Sequence, residues 1–500
     1  MATWIWAVAT AERLVRLAMS AWLGLSVGAV AASGLPATGL AQDAPSREEA
    51  AQALERAVRF FCDHVSADGG YLWRYSADLT LREGEEKATA SMAWVQPPGT
   101  PAVGEAYLLA YERVKTPSLR EATIQTARAL VRGQLHSGGW DNAIEFDPAR
   151  RPAYAYRVDG PPRPRARNVS TLDDDKTQSC IRFLMHVDRL LEFKDAEIHE
   201  ATRYALDQLV QAQYPNGAWP QRFSGPPRAE EHPVLPARYP DQWPREFPGA
   251  NYAGYYTLND DTLADVIRTL LEAADLYGER RYFEAARRGG DFLLLAQMPD
   301  PQPAWAQQYN ARMEPAWARK FEPPAITGGE SQGAIRILLE VYRHTGDRKY
   351  LEPIPRALDY LEKSQLPGGR LARFYELKTN RPLYFTKDYK LVYTDDDLPT
   401  HYAFVVSSNV ASLRKAYEEL AAAPAERLRR PSAPERITWT PRLAADARRV
   451  IDALDARGAW VEEGRLSQAD GGRGVQRVIT TRTFIRNLDI LSRFVAASAR

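Results

Sequence analysis

Two runs of consecutive acidic residues stand where the sequence predicts the start of a helix. Residues 173–175 are three aspartates before an amphipathic segment, 180–191, and residues 260–261 are two aspartates before another, 263–271. Aspartate at a helix start can cap the helix. Carboxylate oxygens are also the ligands that hard cations such as Ca²⁺ prefer. Because the pattern recurs, we predict one shared cation site, open on one side to an anionic substrate.

Two later loops carry basic residues and are near copies of each other. Residues 318–322 read Ala-Arg-Lys-Phe-Glu, and residues 372–376 read Ala-Arg-Phe-Tyr-Glu. A guanidinium can bind a carboxylate through two parallel hydrogen bonds, so Arg319 and Arg373 are candidates for binding an acidic ligand. The other basic residues in or near these loops are Lys320, Arg370, Arg381 and Lys387. A solvated surface run is the alternative interpretation.

Aromatic residues recur in short turns that usually contain glycine. They are Trp73, Trp140, Trp219, Trp305, Trp317 and Tyr375. Flat rings that line a groove can stack on sugar faces, and we predict this role for Trp219 and Tyr375. Packing beneath the loops is the alternative for each ring singly.

These residues are positioned by a repeated unit of helix, turn, loop and helix. Six units follow one another, and helices are predicted over 47–64, 101–115, 118–134, 173–192, 197–213, 260–271, 280–297, 329–344, 349–364, 402–420, 442–457 and 482–498. Short and long links alternate, which favours two concentric layers: an all-α, α/α toroid of about six helical hairpins. A linear solenoid would have more uniform repeats. Little strand pattern is visible beyond 371–377 and 382–385. In a toroid the inner helices are parallel, so their N-termini and long loops share one rim.

Composition and the N-terminal segment narrow the class of protein. The chain has 500 residues and a formal net charge of +1, which argues against nucleic-acid binding driven by net charge. Residues 1–41 resemble a secretory signal peptide, with basic residues, an apolar run and small residues before the cut. We therefore expect a secreted or periplasmic protein whose toroid spans 42–500. No other segment is predicted to cross a membrane, and we expect a monomer. Cys62 and Cys180 are interpreted as buried free thiols.

The chain from about 168 to 405 resembles the pectate lyases of polysaccharide lyase family 10. The motifs that carry the resemblance are Ser-Thr-Leu-Asp-Asp-Asp-Lys-Thr-Gln, Gln-Tyr-Pro-Asn-Gly-Ala-Trp-Pro-Gln, Tyr-Thr-Leu-Asn-Asp-Asp, Trp-Ala-Gln-Gln-Tyr, Pro-Ala-Trp-Ala-Arg-Lys-Phe-Glu-Pro-Pro and Ala-Arg-Phe-Tyr-Glu-Leu-Lys-Thr-Asn-Arg-Pro. The resemblance implies a Ca²⁺-dependent enzyme that cleaves polygalacturonate by β-elimination.

The resemblance also implies roles for individual residues. Asp173 and Asp260 match acidic positions at the Ca²⁺ and the substrate carboxylate. Arg319 matches the arginine proposed as the base, and Arg373 matches a substrate-binding arginine. The chain departs from the family at Lys387, where the family usually has arginine, so the planar guanidinium is lost while the charge is kept.

Two other functions are compatible with the sequence. An inverting glycoside hydrolase needs two carboxyl groups about 6.5–9.5 Å apart across a sugar ring, and Glu105, Glu145 and Glu330 are available. A polysaccharide-binding protein without catalysis is the second alternative, and the departure at Lys387 is the feature that suggests it.

Overall fold

The computed structural model describes residues 44–249, 251–428, 436–469, 471 and 474–497. The helices among these residues are α1 (Arg47–Phe60), α2 (Thr100–Val114), α3 (Pro117–Gly133), α4 (Lys176–Leu190), α5 (Ala196–Gln211), α6 (Thr262–Tyr277), α7 (Arg280–Ala296), α8 (Gly328–Thr345), α9 (Ile354–Lys363), α10 (Val410–Ala421), the single turn α11 (Ala425–Leu428), α12 (Pro441–Asp452) and α13 (Thr481–Ala497). The predicted signal peptide lies outside the described residues.

The helices form two layers, as predicted. The inner layer runs in the contact order α13, α2, α4, α6, α8 and α10, each packed against the next. The outer layer consists of α1, α3, α5, α7, α9 and α12. The inner helices α4 and α6 are buried over most of their length, whereas the outer helix α5 buries a single stripe. The inner helix α10 buries only Val410, Leu413 and Leu420. The fold is therefore the predicted α/α toroid.

Short strands gather at the rim where the inner helices begin. They are β1 (Arg74–Ser76), β2 (Arg82–Glu83), β3 (Met92–Trp94), β4 (Ala143–Glu145), β5 (Ser170–Thr171), β6 (Arg222–Phe223), β7 (Tyr256–Thr257), β8 (Gln308–Tyr309), β9 (Ala325–Thr327), β10 (Leu371–Ala372), β11 (Phe374–Glu376), β12 (Pro382–Phe385), β13 (Leu391–Val392), β14 (Val405–Val406), β15 (Glu462–Gly464) and β16 (Gln476–Thr480).

Each of the six inner helices is preceded by one of these strands. In three units that strand pairs with a segment just after the next tryptophan turn: β3 with β4, β5 with β6, and β7 with β8. A four-stranded sheet, β13-β12-β11-β9, covers the rim beside α8. Its strand β12 matches the predicted stretch 382–385, whereas the predicted stretch 371–377 divides into β11 of this sheet and β10, which pairs with β14 in a separate sheet. The backbone pairing thus fixes the loops that precede α4, α6 and α8 relative to one another.

The tryptophan turns belong to the core. The indole Nε1 atoms of Trp140, Trp219, Trp305 and Trp460 each donate a hydrogen bond to a carbonyl near the end of the preceding outer helix. At the Trp219 turn a glycine is required, because a Cβ on Gly217 (φ 94°) would lie 2.1 Å from the Arg288 carbonyl oxygen. These turns seal the junction between the two helix layers.

Several predicted helix boundaries were wrong by five residues or more. The helix predicted over 349–364 begins at Ile354, and the one predicted over 442–457 ends at Asp452. The helix predicted over 402–420 begins at Val410, because residues 405 and 406 form β14 and pair with β10. The β-branched pair Val405-Val406 suits a strand better than a helix. Both cysteines are free, Cys180 buried and Cys62 partly buried. Among the described residues, no helix combines the length and apolar character that a bilayer span requires.

Candidate active site

The two acidic helix starts adopt the same unusual backbone conformation. Each forms one 3-10 turn, over residues 173–175 and 259–261, before α4 and α6 begin. Asp174 has φ 50° and Asp260 has φ 51°, and the aspartate after each is also left-handed. Aspartate tolerates this region better than most residues, but two in succession carry strain, which is common at functional sites.

Helix capping does not explain these aspartates. The N-cap residues are Asp175 and Asp261, and the side chain of neither one caps its helix. Asp175 instead binds the guanidinium of Arg182 with both carboxylate oxygens, at 2.6 and 2.7 Å. The capping box that Asp175 and Gln178 could form is absent, because the Gln178 side chain bonds the carbonyl oxygen of Leu172.

Three carboxylates converge at the rim. Asp173, Asp174 and Asp260 each offer an oxygen, and the three atoms lie within 4.8 Å of one another. Gln221 Nε2 donates to Asp173 Oδ1 at 2.9 Å, and Asn259 donates to Asp260 at 2.7 Å. These amides orient two of the three carboxylates.

The cluster carries an excess of negative charge. Burial, together with the carboxylates of Asp174, Glu330 and Asp173, raises the pKa of Asp260 to about 7. Burial and the charge of Asp173 also raise the pKa of Asp174. One buried cation, Lys176, lies 3.5 Å from Asp174 and 3.8 Å from Asp173. Three close carboxylate oxygens, whose negative charge Lys176 balances only in part, are a donor set that suits a hard divalent cation, so these residues fit Ca²⁺.

Arg319 lies beside this cluster. Its guanidinium is 3.5 Å from Asp260 Oδ2, and its Nε is 3.2 Å from Glu322 Oε2. Burial alone would lower the pKa of Arg319, but the carboxylates of Glu322 and Asp260 outweigh it, so the pKa lies above its ordinary value. Glu322 is fully buried and also accepts hydrogen bonds from the Arg319 backbone N–H and the Tyr402 hydroxyl.

Arg373 is connected to Arg319 through Tyr402. The Arg373 guanidinium stacks on the Tyr402 ring, 4.6 Å from its centroid, and lies 3.7 Å from the buried Glu330. Its Nε donates to the Ala403 carbonyl at 2.6 Å. Tyr402 and Glu322 therefore join the two predicted arginines, and the structure brings Asp173, Asp260, Arg319 and Arg373 into one region.

The other predicted substrate-binding residues are buried or engaged in other contacts. Trp219 and Tyr375 are 0% and 1% exposed, so neither ring has a free face, and the predicted stacking on sugar does not fit the structure. The Tyr375 hydroxyl bonds the Ser364 carbonyl. Lys387 is solvent-exposed and pairs with Asp397 at 2.9 Å, and Lys320 lies over the Tyr389 ring at 3.6 Å.

The sequence assigned no role to three residues of the site. Lys176 follows the predicted acidic run, which already includes Asp174 as a candidate cation ligand. Glu322 ends the loop motif that carries Arg319, so the pattern was visible even though its role was not. The sequence predicts Tyr402 at the start of a helix, and nothing in its local sequence signals its place between the two arginines.

The carboxylates available for glycoside hydrolysis are engaged elsewhere. Glu105 is hydrogen-bonded to His186 within the inner layer, and Glu145 is paired with Arg150 at 2.9 Å. Only Glu330 is near the arginines. The acid and base pair of a hydrolase is therefore not formed by these three residues.

Comparison with known proteins places this site in a class. Residues 134–340 match the model of a family described as pectic acid lyase, which includes the aspartate cluster and Arg319 but ends before Arg373. The chain is a polysaccharide lyase, and its residues 134–340 match the pectic acid lyase family, as the motifs predicted. No curated protein sequence matches the chain.

Solved structures similar to the chain include two forms of one lyase and an epimerase. The family 10 polysaccharide lyase from Cellvibrio cellulosa is 20% identical, with a TM-score of 0.45 over 64% of this chain and 97% of that one. A mutant of the same enzyme in complex with trigalacturonic acid is 19% identical, with a TM-score of 0.44 over 64% and 98%. A cellobiose 2-epimerase from Spirochaeta thermophila is 14% identical, with a TM-score of 0.44 over 93% and 99%.

Proposed function

We propose that the protein is a pectate lyase that cleaves polygalacturonate by Ca²⁺-assisted β-elimination, with Arg319 as the base. The observation that carries the proposal is the placement of Arg319 3.5 Å from Asp260, at the edge of the three-carboxylate cluster. The family match over this region supports the same reaction and an acidic polysaccharide as substrate. We also propose that the protein is exported and monomeric, which rests on the sequence alone.

In β-elimination a base removes the proton from the carbon next to the uronate carboxylate. The electron pair forms a carbon–carbon double bond, the bond to the glycosidic oxygen breaks, and that oxygen takes a proton from water. A bound Ca²⁺ would supply positive charge where negative charge develops on the uronate carboxylate. Asp173, Asp174 and Asp260 would hold it.

Arg373 and Arg319 would have different roles, one in substrate binding and the other in proton removal. Arg373 is held by Glu330, Tyr402 and a backbone carbonyl, and such a fixed guanidinium suits binding of a second uronate carboxylate. Arg319 is partly exposed, which suits contact with the reacting carbon. Because Glu322 and Asp260 hold Arg319 protonated in the free site, its action as a base requires these carboxylates to be engaged by other partners in the complex.

The test is incubation of the purified protein with polygalacturonate, with and without a chelator. We expect absorbance from an unsaturated uronide that disappears with the chelator and returns with added Ca²⁺. Chain cleavage without this absorbance would identify a hydrolase. Binding to polygalacturonate without cleavage would identify a binding protein that has lost catalysis, and either result would overturn the proposal.

A further inference from the structure

Two arginine–aromatic pairs lie on the surface beside the loop that carries Arg319. The guanidinium of Arg245 is 4.0 Å from the centroid of the Trp243 ring, and that of Arg381 is 3.5 Å from the centroid of the Tyr393 ring. We call these four residues the arginine–aromatic cluster. None of them belongs to the aspartate site described above.

A buried carboxylate holds the cluster together. Glu376, at the end of β11, is 3% exposed and accepts hydrogen bonds from the guanidinium of Arg245 and the hydroxyl of Tyr393. Its other oxygen accepts from the Thr379 hydroxyl. Because both pairs share one fixed acceptor, the rings and guanidiniums are ordered before a ligand arrives, which reduces the entropy cost of binding.

The cluster presents positive charge to solvent. The Arg245 side chain is 54% exposed although it is paired with Glu376, and Arg381 is also exposed. Among the described residues, no carboxylate lies within ion-pair distance of Arg381. Exposed N–H groups of the two guanidiniums remain as hydrogen-bond donors for an anion, although the exposed carboxylates of Glu246 and Asp395 follow closely in the sequence.

The cluster is tied directly to the Arg319 loop. Trp317 lies two residues before Arg319, and its indole Nε1 donates to the carbonyl of Pro244 at 2.9 Å. Pro244 stands between Trp243 and Arg245. The hydrogen bond therefore places the cluster next to the loop that carries Arg319.

We propose that the arginine–aromatic cluster binds a uronate unit of the polysaccharide at a distance from the bond that is cleaved. The inference rests on the proposed function and adds to it a preference for long substrate chains over short ones. A planar guanidinium matches a uronate carboxylate, and an aromatic ring beside it offers a flat surface to the sugar. Chains too short to span from the aspartate site to the cluster gain nothing from it.

The test compares long and short substrates in a double variant, Arg245→Gln with Arg381→Gln. We expect retention in a polygalacturonate-containing gel, run with chelator to prevent cleavage, to weaken roughly fivefold, the size of two solvent-accessible ion pairs. The kcat/KM on trigalacturonate should stay at the wild-type value, while KM on polygalacturonate rises. The matched control is Arg56→Gln with Arg120→Gln, which removes two exposed arginines from the outer helices α1 and α3.

Wild-type retention in the double variant would overturn the inference. An equal loss on trigalacturonate and polygalacturonate would also overturn it, since the cluster would then act at the cleavage site. If the wild-type protein shows no lyase activity, the proposed function fails, but the gel comparison still decides whether the cluster binds polyuronate.

Discussion

Asp174 and Asp260 hold the same place in two successive inner units, and their carboxylate oxygens lie within 4.8 Å of each other. Both are the first of two left-handed residues before an inner helix. The equivalent of Asp173 in the second unit is Asn259, which donates its amide to Asp260. The second unit thus supplies an amide donor where the first supplies a third carboxylate.

Asp260→Asn should weaken cation binding by about tenfold or more, since affinity for hard cations follows the number of charged ligands. Asparagine tolerates the left-handed backbone, so the free energy of unfolding should stay the same or rise slightly as repulsion is removed. Calorimetric titration with Ca²⁺ alone measures the affinity. Asp275→Asn, near the other end of α6, is the control, and equal affinities in the two variants would remove Asp260 from the cation site.

Arg319→Lys should lower kcat by roughly 10²–10⁴-fold, the usual size of a general-base contribution, although the charge is kept. KM should change little, because Arg373 would still hold the substrate. Steady-state kinetics on trigalacturonate and longer chains measure both constants. An unchanged kcat would show that Arg319 does not take the proton.

Arg373→Lys should change KM more than kcat, the reverse of what we expect for Arg319→Lys. Lysine keeps a positive charge near the buried Glu330 but loses the stacked, planar group, so KM should rise several-fold with a smaller loss in kcat. The same assay measures the variant next to Arg319→Lys. A loss confined to kcat would assign Arg373 to the chemical step instead.

The toroid and the two acidic helix starts could be predicted because both depend on local patterns, namely apolar spacing and repeated motifs. The pairing of Glu322 with Tyr402 could not, since it joins residues 80 positions apart through tertiary packing. The prediction that the Trp219 ring contacts sugar was wrong for a related reason. A Gly-Trp turn has the same sequence whether the ring faces a groove or packs between the two helix layers. Only the burial of the Trp219 ring in the folded protein distinguishes the two.

Trp219→Phe should lower the free energy of unfolding by about 1–3 kcal/mol, because the Leu209 carbonyl loses its buried hydrogen-bond donor. KM for polygalacturonate should not change, since the ring has no exposed face. Denaturant unfolding and kinetics on the same preparation give both values. A raised KM with unchanged stability would restore the predicted contact with sugar.

The buried His186 should make the free energy of unfolding depend on pH in the alkaline range. Its Nδ1 lies 2.6 Å from Glu105, and its Nε2 bonds Glu272. Burial alone would lower the pKa of His186, but the two carboxylates outweigh it and raise the pKa to about 10. This stabilisation is fully present below about pH 6.5, the unfolded pKa, and is lost as pH rises through about 10.

Denaturant unfolding of the wild type should therefore show stability falling toward about pH 10, and His186→Gln should flatten that part of the profile. His64→Gln, an exposed histidine on the turn after α1, is the control and should follow the wild type. Identical profiles for wild type and His186→Gln would show that the imidazole is not charged in the folded protein.

The contacts of the first two helices, α1 and α2, with the last two, α12 and α13, have a consequence for how the chain folds. Arg113 pairs with Asp489, 376 positions away, and Arg448 bonds Glu49 across 399. During synthesis on the ribosome, α1 and α2 cannot pack against α13 until α13 has been made. The apolar faces of α1 and α2 that contact α13 therefore stay exposed until synthesis is nearly complete. Contacts of such separation form slowly. We expect a truncation before Thr481 to leave α1 and α2 open to proteolysis while the α6–α7 pair stays protected.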